Sequence, residues 1–264
     1  MNLGKKIRLS RIINQESGKT IIVPMDHHGT WISPIKWIEN PAILTEKLIK
    51  GWADAILSHI WTLNHWYAKT CVWLWWSAIL HMCVTSWLSP EQNRKVIVNK
   101  LKTAIVSWVD AVSTQVNLWD KNENEMIQDL SILSNECMEW GIPLIAMVYV
   151  RWHDMNEKDP ESIRLSVRLA SELWCDMVKV PYTWDIESMK QVVNATQIPV
   201  VIAGWSKLSD TETLEMIDWA IQAWCAWLSI WRNVFQRKDP AKFLQAIKAI
   251  VHKGMSLEEA KQLI

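Results

Sequence analysis

The sequence predicts an α/β fold, a single (β/α)8 TIM barrel with a parallel eight-stranded core. Eight short runs rich in β-branched residues alternate with longer stretches of helical spacing along the 264 residues, the order that a barrel of strand–helix units requires. No linker, low-complexity tract or block of like charge interrupts the series. The first strand ends in Asp26-His27-His28, where a doubly wound open sheet would carry a glycine-rich turn. The barrel is therefore preferred over the open sheet.

The expected strands are TIIVPMD (20–26), AILSHI (55–60), AILHM (78–82), AVSTQV (111–116), LIAMVYV (144–150), DMVKVPY (176–182), PVVIAG (199–204) and LSIWRN (228–233). ENEMIQDLSILSNECMEW follows the fourth and DPESIRLSVRLASEL the fifth, both with helical spacing. The second opens on Asp159-Pro160-Glu161: proline suits a first helical turn, and acidic groups suit the positive end of the helix dipole. In the tail MSLEEAKQLI, Ser256 and Glu259 have capping-box spacing. Residues 1–264 are expected to form one domain, with 1–19 as an N-terminal extension and 255–264 as a C-terminal helix.

Charge excludes several roles. Lysine plus arginine balance aspartate plus glutamate at 28 each, which gives no broad basic surface for nucleic acid or an anionic membrane. The start, MNLGKKIRLSRIINQ, has no apolar signal region, and CVWLWWSAIL (71–80) is too short to span a bilayer. Five cysteines without any CxxC pair point to reduced thiols and a cytoplasmic location. Adjacent histidines beside Asp26 suggest a metal site, but such sites need further close carboxylates and the chain has no DxD pair. No metal and no cofactor are expected. His59 and His81, which end the second and third strands, need no metal as partners at the same mouth.

The composition has one anomaly. Tryptophan occurs 20 times and glycine only 7 times, against about 7% glycine in an average chain. Trp52, Trp108, Trp174 and Trp224 each fall between the end of a helix and the next strand, where a left-handed backbone favours glycine. Trp184, Trp205 and Trp231 follow strands directly, in turns at the expected mouth. A tryptophan-rich surface for a sugar or a partner would gather these residues on one face rather than at turns. UGA differs from the tryptophan codon by one base, and some genetic codes read it as glycine. The pattern is that of a glycine-UGA gene read with tryptophan, with Trp140, beside Gly141, an ordinary tryptophan.

Three residues can carry chemistry. Lys179 lies mid-strand between Val178 and Val180, and alternation sends it with Met177 to one face. Inside a barrel, burial lowers the amine pKa towards neutrality and yields a nucleophile for Schiff-base formation; a salt-bridged or snorkelling lysine is the alternative. Tyr149 closes the neighbouring fifth strand, where a phenol can exchange protons with a reacting group or simply pack at the rim. Asp26 ends the first strand at the catalytic face of barrels, or else caps a turn. The turns Gly204-Trp205-Ser206 and Trp231-Arg232-Asn233 follow strands seven and eight, where barrels commonly hold phosphate on backbone N–H groups. Arg232 and Lys207 can add charge. A residue at 205 without a side chain would let that backbone meet the anion.

VPMDHHG, SPIKWIENP, AMVYVRW, VKVPYTWD, VIAGWSK and SIWRNVFQ together resemble the DhnA-type class I aldolases. This family includes archaeal-type fructose-bisphosphate aldolases and 2-amino-3,7-dideoxy-D-threo-hept-6-ulosonate synthase. The resemblance runs over nearly the whole chain, and the family pattern has glycine at positions 37, 152, 184, 205 and 231. It implies a metal-free (β/α)8 barrel, a ring-like homo-oligomer and a phosphorylated sugar substrate. It places the Schiff-base lysine on Lys179, the acid/base tyrosine on Tyr149 and the motif aspartate on Asp26. The phosphate turns fall on Gly204, Trp205, Ser206, Trp231 and Arg232, with His27 as a further substrate contact. Two departures bear on the substrate: His28 lengthens the loop after Asp26, and His59-Ile60-Trp61 stands where the synthase branch often has His-Lys-Gly. Fructose-bisphosphate cleavage, the synthase reaction and a thiolase acting on a phosphorylated dione are the enzymatic options. If the tryptophans are real, a binding-only relative is the option of another class.

Overall fold

The computed structural model describes residues 2–26, 41–67, 76–151, 156–204, 208–229, 232–235, 237 and 239–264. Helix α1 (Leu3–Ile12) precedes strand β1 (Thr20–Pro24), and α2 (Pro41–Lys50) precedes β2 (Ala55–Ser58). A short α3 (Ile60–Thr62) runs on into a π-turn over Leu63–Tyr67. Then come β3 (Ser77–His81), β4 (Cys83–Val84), β5 (Val96–Ile97), α4 (Leu101–Val106), β6 (Ala111–Leu118), α5 (Glu123–Trp140) and β7 (Leu144–Val150). The remainder is α6 (Pro160–Glu172), β8 (Met177–Val180), α7 (Ile186–Asn194), β9 (Val200–Ala203), α8 (Asp210–Gln222), β10 (Trp227–Ser229), α9 (Arg232–Phe235), α10 (Pro240–Lys253) and α11 (Leu257–Lys261).

The parallel strands close in the order β1-β10-β9-β8-β7-β6-β3-β2. Strand β8 is shorter than the sequence suggests: it stops before Pro181, which has no N–H to give the ladder. The antiparallel pair β4–β5 was not expected, because two residues per strand carry no readable period. Helix starts follow the sequence: Asp159 accepts from the Ser162 N–H ahead of Pro160, and Ser256 with Glu259 forms a reciprocal cap.

Strand alternation divides the core in two. Ile22, Leu57, Ile79, Ala111, Ile145, Met147, Met177 and Val201 fill the barrel interior, and Leu9 and Ile12 of α1 pack onto that cluster. The residues between them in sequence, such as Val23, Leu80, Val112, Val148 and Val178, meet the helices in a larger outer cluster.

A three-residue device recurs at the amino-terminal ends of the strands. Asp54, Asp110 and Asp176 each stand just before a strand, and each carboxylate accepts the N–H of a residue in the neighbouring strand: Ile21, Ala78 and Leu144. Each carboxylate also takes a cationic or imidazole partner, namely His252, Arg11 and Lys5. Two residues before each aspartate lies a tryptophan with positive φ: Trp52 at 67°, Trp108 at 56° and Trp174 at 60°. Trp119 (59°), Trp184 (65°) and Trp224 (63°) complete the positive-φ non-glycine residues among the described ones. All six are tryptophan. Between α5 and β7 the corresponding left-handed cap is Gly141, at 65°.

Candidate functional site

The chemistry-bearing side chains collect at the carboxyl ends of the strands. They arrive there through one alternation. Lys179 follows Met177 on the inner face of β8 and is paired in register with Met147 and Val201. Tyr149 lies two residues beyond Met147 on β7, on the same face, and Asn117 of β6 is its register partner. Asp26 follows β1, His59 follows β2 and His81 ends β3.

Lys179 is 5% exposed. Burial drives its amine below the ordinary lysine value, and the Asp26 charge acts in the opposite sense. The Tyr149 phenol is pushed well above its ordinary value by burial, with Arg151 countering and Asp26 reinforcing the rise. Asp26 is thus felt by both groups. The sequence-predicted trio converges on one region, with a neutral-leaning amine, a firmly protonated phenol and a carboxylate.

A hydrogen-bonded chain surrounds the aspartate. His81 Nε2 lies 3.9 Å from Asp26 Oδ2, and its Nδ1 meets Ser113 Oγ at 2.8 Å. Cys83 Sγ approaches His81 Nε2 at 3.4 Å and accepts the Gln115 N–H at 3.2 Å. Burial raises the Cys83 thiol above its usual value, so it remains a thiol beside the imidazole. The His59 ring faces the His81 ring with centroids 5.5 Å apart.

Asp26, His59, His81 and Cys83 border a cavity of about 360 Å³, whose lining also includes Lys95, Gln115 and Arg151 but neither Lys179 nor Tyr149. Lys95, Gln115, Asn117 and Arg151 escaped the sequence reading. Gln115 and Asn117 carried a signal, since both share the inner parity of β6 with Ser113. Lys95 did not, as it sits in a loop beside the two-residue β5.

The expected phosphate turns are only partly placed. Trp205, Ser206, Lys207, Trp231 and His27 lie outside the described residues, as does the side chain of Arg232, although its backbone opens α9. Gly204 is described, but its N–H already donates to the Ser229 carbonyl at 3.0 Å. It is therefore part of the ladder rather than a spare donor. The flanks of the two turns are tied together. Asn233 Oδ1 accepts the Leu208 N–H at 2.7 Å, and Arg237 donates to the Leu208 and Ser209 carbonyls at 3.1 Å each. Among the described residues no three His, Cys, Asp or Glu side chains group as metal ligands.

Comparison with known proteins agrees with this architecture. Residues 20–237 match the family model described as DeoC/LacD family aldolase. The chain is 35% identical over 260 residues to 2-amino-3,7-dideoxy-D-threo-hept-6-ulosonate synthase 1 of Archaeoglobus fulgidus, covering 98% of this chain and 95% of that protein. It is 29% identical over 254 residues to 2-amino-4,5-dihydroxy-6-oxo-7-(phosphonooxy)heptanoate synthase of Streptomyces griseus, covering 94% and 90%. An archaeal fructose 1,6-bisphosphate aldolase structure superposes with a TM-score of 0.85 at 24% identity, over 95% of this chain and all of that one.

Proposed function

The chain belongs to the DeoC/LacD family of aldolases, and on that premise we propose that it makes or breaks a carbon–carbon bond in a phosphorylated ketose through a Schiff base on Lys179. The observation that carries this reading is the buried Lys179 on the inner face of β8, its amine pKa lowered by burial. A lysine with its proton held loosely attacks a ketone at neutral pH far more readily than an exposed one, which is almost wholly protonated. The nitrogen bonds the carbonyl carbon, the oxygen leaves as water after protonation, and the resulting iminium accepts the electron pair released when the bond between the α and β carbons breaks, the β-hydroxyl losing its proton as it becomes the released aldehyde.

Tyr149, held as a phenol, is the proton donor suited to the departing oxygen and to the enamine carbon. Asp26, whose carboxylate lies 3.9 Å from His81 Nε2, takes and returns protons during the same steps. The anion of the substrate would rest on the turns at Gly204, Trp205 and Ser206 and at Trp231 and Arg232, with His27 as a further contact. Since the Gly204 N–H is already engaged, the donors would come from the residues after it.

The ring of strands with its helices is read as a complete (β/α)8 TIM barrel, formed by residues 1–264 as one domain. A cytoplasmic homo-oligomer acting without metal fits the resemblance. For the substrate, the 35% identity with a heptulosonate synthase favours condensation onto an aldehyde as a second reading beside fructose-bisphosphate cleavage. Borohydride reduction in the presence of a phosphoketose is the test. Label on Lys179 is expected, and a Lys179→Met variant with unchanged turnover would end the proposal.

A further inference from the structure

We propose that residues 52, 108, 119, 174, 184 and 224 are glycine in the protein made by its own cell, inserted there at UGA codons. Every positive-φ non-glycine residue among the described ones is tryptophan, with φ from 56° to 67°. A left-handed residue rarely carries a Cβ, because that atom crowds the following carbonyl oxygen. The bulkiest side chain therefore stands six times where the backbone favours none.

Four of the six occupy one station of one hydrogen-bonded motif, at the ends of α2, α4, α6 and α8. The left-handed residue donates its N–H three residues back: Trp52 to the Ile49 carbonyl, Trp108 to Ile105, Trp174 to Ser171 and Trp224 to Ile221. The next residue donates five residues back: Ala53 to Leu48, Val109 to Ala104, Cys175 to Ala170 and Cys225 to Ala220. This pair of bonds is the Schellman closure, whose left-handed station is usually glycine. The end of α5 makes the same long bond, from the Ile142 N–H to the Cys137 carbonyl at 3.0 Å, and its left-handed residue is Gly141. The chain thus contains its own control, with the same closure and backbone hand and with glycine in place.

No common surface accounts for the indoles. Trp52, Trp108, Trp174 and Trp224 precede β2, β6, β8 and β10, whereas Trp119 and Trp184 follow β6 and β8. Because these strands run parallel in one ring, the two groups lie at opposite ends of it. Their surroundings differ as well: Trp52 lies under Lys248, Trp224 under Lys190 and Trp184 against the Tyr182 ring, while Trp108 stands almost fully exposed. What the six share is φ, and six independent choices of tryptophan have no conformational cause. One reassigned codon has. UGA differs from UGG by one base, so a gene in which UGA specifies glycine shows tryptophan at left-handed stations when UGA is read as tryptophan.

Peptide mass spectrometry of the protein purified from its source cells, together with sequencing of its gene, tests the inference. Glycine is expected at all six positions, each encoded by UGA, with every such peptide lighter than its tryptophan form by the mass difference of the two residues. Trp140, which ends α5 in helical conformation, should be tryptophan encoded by UGG. A tryptophan-bearing peptide at any of the six, or UGG at any of them, would overturn the inference. UGA at Trp140 would do the same, since backbone hand would then not separate the two codons. Neither measurement involves turnover, so their outcome is distinct from that of the borohydride test on Lys179.

Discussion

Trp108 offers the cleanest measurement of what a side chain costs in a left-handed turn. Its φ is 56° and it is 90% exposed, so Trp108→Gly removes almost no buried surface. The left-handed penalty for an L-residue is about 1–2 kcal/mol, and the extra freedom that glycine gives the unfolded chain returns about 0.5–1 kcal/mol. The balance is a stabilisation of about 0.5–1 kcal/mol, or roughly 2 °C in Tm for a chain of this size. Trp52 gives a contrasting case. It is 59% exposed, and Lys248 Nζ lies 3.9 Å above its ring. That contact is worth about 0.5–1 kcal/mol, and the covered indole surface roughly 1–2 kcal/mol more, so Trp52→Gly should be neutral or destabilising. Trp140 supplies the opposite sign, because it ends α5 in helical conformation and glycine there costs up to about 1 kcal/mol. Chemical denaturation of the purified variants reads all three. The decisive control is Trp108→Ala, which keeps the Cβ and should recover little. If alanine stabilised as much as glycine, side-chain bulk rather than backbone strain would be the cause, and the argument would fail.

Four further outcomes follow from the geometry. Between its lowered folded pKa and the ordinary 10.5, Lys179 has shed a proton that the unfolded chain retains, so its contribution makes stability rise with pH through that window. Subtracting the Lys179→Met curve isolates this slope from Tyr149 and the buried thiols, whose raised pKa values act the other way above about 9; a flat difference would contradict the burial argument. Asp26→Asn should lower turnover by about 10²–10⁴ with an unchanged unfolding midpoint, and loss of fold instead would mark Asp26 as structural. Asp176→Ala leaves Lys5 and the Leu144 N–H without their partner and should cost about 3–5 kcal/mol, read as a drop in Tm of about 10 °C. Ser113→Ala removes the hydrogen bond to His81 Nδ1. It should move the pH–rate profile while leaving circular dichroism unchanged, and a profile identical to wild type would show that His81 does not depend on it.

The site was legible to the extent that parity is legible. Every barrel strand here has a period of two, and Met177, Met147 and Ile79 on one face fix where Lys179, Tyr149 and His81 must point. Asp26 and His59, just past the ends of β1 and β2, extend the same rule into the loops. The same count would have delivered Ser113, Gln115 and Asn117, since each is an even step from Ala111 on the inner face of β6. Polar residues near a strand end are ordinarily solvated, so polarity alone does not mark these three. Lys95 follows no such count. Its position depends on Arg94 reaching Glu125 and Asp129 some thirty residues away, a long-range pairing that local periodicity cannot encode. The tryptophans mark the other limit. Propensity flags a wrong residue in a turn, but only φ tells a misfit from an ordinary surface side chain: Trp140 and Trp174, similarly exposed in the folded chain, differ in backbone hand. Conformation, not exposure, therefore identifies the positions where glycine belongs.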